Sequence, residues 1–203
     1  MKMNSQFTEA QIDGLVEVLG QNGINTVIVE TKEDAKSKVM ELIPKGSEVM
    51  TMTSVTLDQT GIAGMINEGR NYVSLKKKLS IMDRSTQGKQ MQVLGSVPEW
   101  AVGSVNALTL EGEVVFASNT GSQMAAYVYG AEHVVWVVGI QKIVNNMEVA
   151  MKRLYEYVLP LESERAHKAY GVEGSYISKI LTIKREVRKG RINLVIVREE
   201  LGF

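Results

Sequence analysis

Five consecutive apolar residues, Val134–Val138, leave no polar face for water to meet, so this segment reads as a strand enclosed on both sides. Strands of that kind belong to parallel sheets, whose neighbours are reached only through crossover connections. The rest of the chain supplies such crossovers. Thr8 and Gln11 read as a capping box, and behind them Ile12, Leu15, Val16 and Leu19 recur at helical spacing, with Gly20 as a stop. Ile24–Val29 follows as a second strand expected to be buried on both faces. Thr31 and Asp34 open the next helix, with Val39, Leu42 and Ile43 on one face and Pro44 ending it. Glu48–Met52, Ala101–Val105 and Val114–Ala117 read as further strands. Asn145 or Asn146 caps a helix carrying Ala150, Met151, Leu154 and Tyr155, which Pro160 is expected to terminate. Ile180–Val187 and Ile192–Val197 read as two strands joined at Lys189-Gly190 in a C-terminal hairpin or edge pair. The expected fold class is α/β: a mostly parallel, Rossmann-like sheet with helices on both faces and a C-terminal strand pair. Residues 1–203 are expected to form a single domain.

Composition narrows the function classes. Lys+Arg and Asp+Glu both number 23 in 203 residues, and this neutral balance argues against a nucleic-acid binder. The absence of cysteine excludes disulfides, thiolate catalysis and cluster ligation by thiolates. The two histidines, His133 and His167, are too few for a multi-histidine metal site. No metal site is expected, and no cofactor is assigned. The polar stretch Met1–Gly14 lacks the apolar core of a secretory signal. No segment reaches the roughly 18 apolar residues of a membrane span. A cytoplasmic location with no membrane partner is therefore expected, and assembly into a homo-oligomer is left open. The Lys76-Lys77-Lys78 cluster reads as a solvated face.

In a parallel sheet ligands bind beyond the carboxyl ends of the strands, where loops meet helix N-termini. Neither a dinucleotide fingerprint nor a Walker loop is present, and no G-x-S-x-G elbow occurs. Three loops do fall at that edge. Ser54 and Thr56 stand in the first. Asn119, Thr120, Gly121, Ser122 and Gln123 form the second, where hydroxyls and backbone N–H groups suit an anion. Gly139 and Lys142 belong to the third, with Lys142 adding positive charge. Ser, Thr and Asn are equally the residues of ordinary capping turns. One carboxylate, Glu111, sits in a turn between two strands; a desolvated glutamate there acts as a base or nucleophile, whereas a solvated one is only a hairpin residue. Asn106, just upstream, is suited to orient a ligand or close the turn.

The block Val102-Gly103-Ser104-Val105-Asn106-Ala107-Leu108-Thr109, followed by Glu111-Gly112, resembles the LUD domain, the lactate-utilisation domain. The segments Val137–Val144 and Arg198–Phe203 match it too, and the resemblance covers nearly the whole chain. It implies a fold similar to the ribose-phosphate isomerase and coenzyme A transferase group. It also implies a part in L-lactate utilisation beside iron–sulfur oxidoreductase partner subunits. Asn106, Thr109, Glu111, Gly112, Gly139 and Lys142 fall on the family's patterned loops. The chain departs from many single-domain relatives in having no cysteine cluster between Leu161 and Leu181. Any redox cofactor must then sit on another subunit.

The function expected is binding of a small anionic metabolite, lactate or a related carboxylate, or phosphate, as a component of a lactate-oxidising system. The alternative is a stand-alone isomerase or an acyl- or coenzyme A-transferase-like enzyme on a phosphorylated or thioester substrate.

Overall fold

Thr8 opens the first helix as its spacing predicts: its Oγ1 accepts the Gln11 N–H at 3.3 Å, and Gln11 Oε1 accepts the Thr8 N–H at 3.0 Å. The computed structural model describes residues 7–203, and the polar segment Met1–Gln6 lies outside the described residues. The chain runs α1 (Glu9–Gln21), β1 (Ile24–Val29), α2 (Lys32–Leu42), β2 (Glu48–Thr51), α3 (Val55–Gln59), α4 (Ile62–Glu68) and β3 (Val73–Ser74). It continues through α5 (Leu75–Ser80), α6 (Arg84–Ser96), β4 (Trp100–Gly103), β5 (Ala107–Thr109), β6 (Val114–Ser118) and a π-helical turn (Ala126–Gly130). Then follow β7 (His133–Gly139), a 3₁₀ turn (Ile140–Lys142), β8 (Ile143–Val144), α7 (Met147–Arg153), α8 (Leu159–Tyr170), β9 (Lys179–Ile183) and β10 (Ile192–Val197).

Six strands form a parallel sheet in the order β1-β10-β7-β4-β2-β3. Strand β7 lies inside it and is buried on both faces, as its apolar run requires. Val134, Trp136 and Val138 face α1, whereas Val135 and Val137 face α2, α3 and α4. Strand β1 departs from its expectation. It is an edge strand and mostly half-buried, with Asn25 bonded across to Asn193 at 3.3 Å.

A second, four-stranded sheet, β8-β5-β6-β9, packs on the α1 face of the first through Leu108, Val114 and Phe116. Its other face, through Ala107 and Val115, meets Ala150 of α7 and Leu154 just beyond it. Two strands do occupy the C-terminal region, but they do not pair with each other. Strand β9 pairs antiparallel with β6, while β10 inserts between β1 and β7. Apart from Asn193 every residue of β10 is apolar and buried, which suits a strand covered on both faces rather than an alternating edge strand.

Pro160 does not end the helix it follows. The residues between α7 and α8 widen into a π-helical stretch, Leu154–Val158, and the helix resumes with Pro160 in its first turn. A proline has no N–H for the carbonyl four residues back and crowds it, and the wider turn relieves both problems. Among the described residues no helix is long and apolar enough to cross a membrane.

Candidate functional site

The carboxyl ends of β2 and β4 open into a cavity of about 700 Å³, closed on its far side by β6 and α8. Lys142 stands at its floor, 2% exposed, carried there by the 3₁₀ turn that follows β7. Its Nζ reaches Thr56 Oγ1 at 3.0 Å, Ser104 Oγ at 3.0 Å and the Val105 carbonyl at 3.1 Å. Burial, reinforced by the nearby Arg153 charge, lowers its pKa to about 7. No carboxylate pairs with it among the described residues.

The C-terminal tail holds this floor in place. Gln141 Nε2 donates to the Leu201 carbonyl at 2.9 Å and the Gly202 carbonyl at 3.1 Å, and its Oε1 accepts the Leu201 N–H at 3.2 Å. Thr56 Oγ1 donates to the Leu201 carbonyl at 3.2 Å. Gly202 adopts φ 63°, and a side chain there would run into Thr56 Oγ1 and approach Lys142 Nζ.

Tyr127 forms part of the wall and packs against Phe116 and Trp136 at centroid distances of 5.0 and 5.5 Å. Its hydroxyl occupies the space that any side chain at Gly103 would need. Burial raises its pKa, so it remains a donor. Arg191 anchors the π-helical turn that carries it, donating to the carbonyls of Ala126, Tyr127 and Ala131 at 2.9–3.0 Å.

Of the residues singled out from the sequence, Ser54, Thr56, Asn106 and Lys142 line the cavity. Asn119, Thr120, Ser122 and Gln123 line it from the loop after β6. That loop is closed on itself: Ser118 Oγ accepts the Gly121 N–H at 2.9 Å and donates to Gln123 Oε1 at 3.0 Å. Its strand, β6, pairs antiparallel with β5 and β9 in the second sheet and does not belong to the parallel one. Gly121 lies just outside the lining. Asn106 ties the turn after β4 to β6 and α7, its Oδ1 accepting the Ala117 N–H at 2.8 Å and its carbonyl accepting Arg153 Nε at 2.9 Å. Gly139 packs beneath the tail, where a side chain would strike Gln141 and Leu201. Glu111 stands exposed on the hairpin turn between β5 and β6 and lines no part of the cavity. Thr109 Oγ1 accepts the Glu113 N–H at 3.0 Å and closes that turn.

The lining residues that lay outside the sequence expectations include Ser104, Lys76, Arg84 and Arg165. Lys76 comes from the cluster read as a solvated face, and its Nζ reaches Thr53 Oγ1 at 3.3 Å. Arg165 is held by Glu162 in a two-point pair at 2.7 Å. The described lining thus holds four basic side chains, Lys76, Arg84, Lys142 and Arg165, against one acidic side chain, Glu162. Among the described residues no three His, Asp or Glu side chains converge as metal ligands.

A solved structure of a DUF162 family protein from Deinococcus radiodurans superposes with a TM-score of 0.58 at 10% identity, covering 94% of this chain and 98% of that one. This likeness shows the fold. A search of curated proteins finds no match. The family model of the LUD domain matches residues 12–198, from within α1 to the residue after β10. The chain belongs to the LUD domain family.

Proposed function

We propose that this chain binds a small anionic metabolite, L-lactate or a related carboxylate, in the cavity between the two sheets, and serves organic-acid utilisation. The observation that carries this reading is the charge of the lining: three cations, Lys76, Arg84 and Arg165, against a single carboxylate, Glu162, that is already committed to Arg165. Lys76 and Arg84 supply long-range attraction for an anion. Ser54, Asn119, Thr120 and Ser122 offer neutral donors around it, with Lys142 and Thr56 beneath. A charge-assisted hydrogen bond contributes about 1.5–3 kcal/mol, so one or two are enough to select a carboxylate or phosphate over a neutral analogue.

The chain has no cysteine, so it offers no thiolate to an iron–sulfur cluster. In a lactate-oxidising system the electrons would therefore leave through an iron–sulfur oxidoreductase partner, with this chain acting as a single LUD-type domain in the cytoplasm. Thermal unfolding in the presence of L-lactate, other small carboxylates and phosphate tests the reading. A ligand that binds only the folded state raises the transition temperature with its concentration. A transition unmoved by all of them at millimolar concentration removes the proposal.

A further inference from the structure

The hydrogen bonds around Lys142 have only one consistent direction when its amine is neutral. The Thr56 hydroxyl proton is committed to the Leu201 carbonyl, so Thr56 Oγ1 accepts from Lys142, and the Val105 carbonyl has no proton to give. A neutral amine has two N–H groups, and these two acceptors use both. Its lone pair is left for the third neighbour, Ser104 Oγ, at 3.0 Å. The other acceptor within reach of the Ser104 hydroxyl, the Val105 carbonyl, is farther away at 3.5 Å. In that neutral state Ser104 donates to Lys142 Nζ, whereas the ammonium donates to all three neighbours. Ser104 lies on the turn leaving β4, half-buried, with the cavity in front of it.

We propose that Ser104 and Lys142 form a nucleophile–base pair for acyl transfer, acting on an activated carboxylic ester that carries a second, negatively charged group. A serine hydroxyl becomes a competent nucleophile when an adjacent base takes its proton, and a lysine serves as that base once it is desolvated. The enclosure of Lys142 supplies the desolvation, and the ordinary charged state is disfavoured further by Arg153 on α7. The other elements around its Nζ present only uncharged groups: Thr56 from α3, Ser104 and Val105 from the turn after β4, and Gly202 from the tail.

The steps balance without a cofactor. Ser104 Oγ attacks the acyl carbon while Lys142 Nζ takes the hydroxyl proton, and the carbonyl electron pair moves onto its oxygen. Tyr127, whose hydroxyl lies against Gly103, the residue before Ser104, would supply the side-chain donor to that oxyanion. Collapse re-forms the carbonyl and breaks the bond to the leaving alcohol, which receives its proton from Lys142. Water then attacks the acyl-serine. Lys142 takes a water proton and returns it to Ser104 Oγ, and the free acid departs. Lys76 and Arg84 at the wall suit the second negative group of the ester.

The inference rests on the cavity as the ligand site, not on lactate as its occupant. A fluorophosphonate tests it, because an activated serine displaces its fluoride and keeps the phosphonyl group. Peptide mass spectrometry of the treated wild-type protein is expected to place the adduct on Ser104, at a rate rising roughly tenfold between pH 6 and pH 8 as the lysine loses its proton. Ser104→Ala should abolish the adduct, and Lys142→Met should slow it by about 100-fold or more. Wild-type Ser104 left unmodified, or modified at a rate independent of pH, overturns the proposal whether or not the variants fold. L-lactate binding, measured on the same wild-type sample, separates the two readings. Binding without an adduct removes the nucleophile pair alone, and an adduct without binding removes lactate alone.

Discussion

Lys142 and Arg153 are both enclosed, 2% and 5% exposed, and neither is paired with a carboxylate among the described residues. Arg153 instead donates to the Asn106 carbonyl and lies over the Tyr157 ring at 4.9 Å, with Nη2 left unbonded. Burial makes protonation of the lysine costly, and the nearby Arg153 charge adds to that cost, which lowers its pKa from 10.5 to about 7.

Stability is therefore expected to depend on pH in the alkaline range. The unfolded chain keeps the Lys142 proton up to about pH 10.5, whereas the folded protein releases it near 7. Between these values the unfolded state holds more protons, so stability rises with pH across the window. Below pH 7 both states are protonated and the burial penalty is complete. Lys142→Met should flatten the slope and stabilise the protein at pH 6 by roughly 1–4 kcal/mol. Denaturant midpoints at pH 6, 8 and 10 check this, and a slope unchanged in the variant would refute it.

The contact between Gly103 and Tyr127 makes a second prediction. A methyl group at 103 overlaps the Tyr127 hydroxyl, so Gly103→Ala should cost about 1–3 kcal/mol. The same substitution in the Tyr127→Phe background removes the overlapping oxygen and should cost less. A double-mutant cycle on urea midpoints measures the coupling, and additive costs would mean that the hydroxyl does not define the space above Gly103.

Local signals account for what was legible in the sequence. Both capping boxes, Thr8 with Gln11 and Thr31 with Asp34, form as their spacing implies. Strand β7 lies where its uninterrupted valines demand. The second sheet was not legible, because β5 and β8 are three and two residues long and carry no periodicity. The partner of β10 was equally hidden: Ile24 pairs with Ile192 across most of the chain, and no nearby turn records that register. Half of the site was visible as loops at strand ends. Apart from Lys142 the charged half was not, since Lys76 and Arg165 lie on helices whose polar residues read as solvated until a second sheet is placed opposite them. Ser104 sits beside a buried strand, where a small hydroxyl residue passes as packing.

The tail offers a third prediction. Gln141→Ala removes three hydrogen bonds that hold Leu201 and Gly202 over the cavity floor, at a cost of about 1–3 kcal/mol. Backbone amides of the tail should then exchange with solvent faster than in the wild type, while those of β7 remain protected. Unchanged exchange at Leu201 would show that the tail is held by its other contacts, such as the Gln59 bond to the Gly202 N–H at 2.7 Å.

The central claim is that the cavity's positive charge selects an anion. Calorimetric titration of L-lactate and of phosphate into the wild type and into a Lys76→Met, Arg84→Met double variant measures this most directly, because neither side chain belongs to the packed core. Binding of at least one of these anions to the wild type is expected, weakened by roughly tenfold or more in the variant, since each lost charged contact is worth about 1.5–3 kcal/mol. Equal affinity in the two proteins, or no binding of either anion to the wild type, would contradict the account.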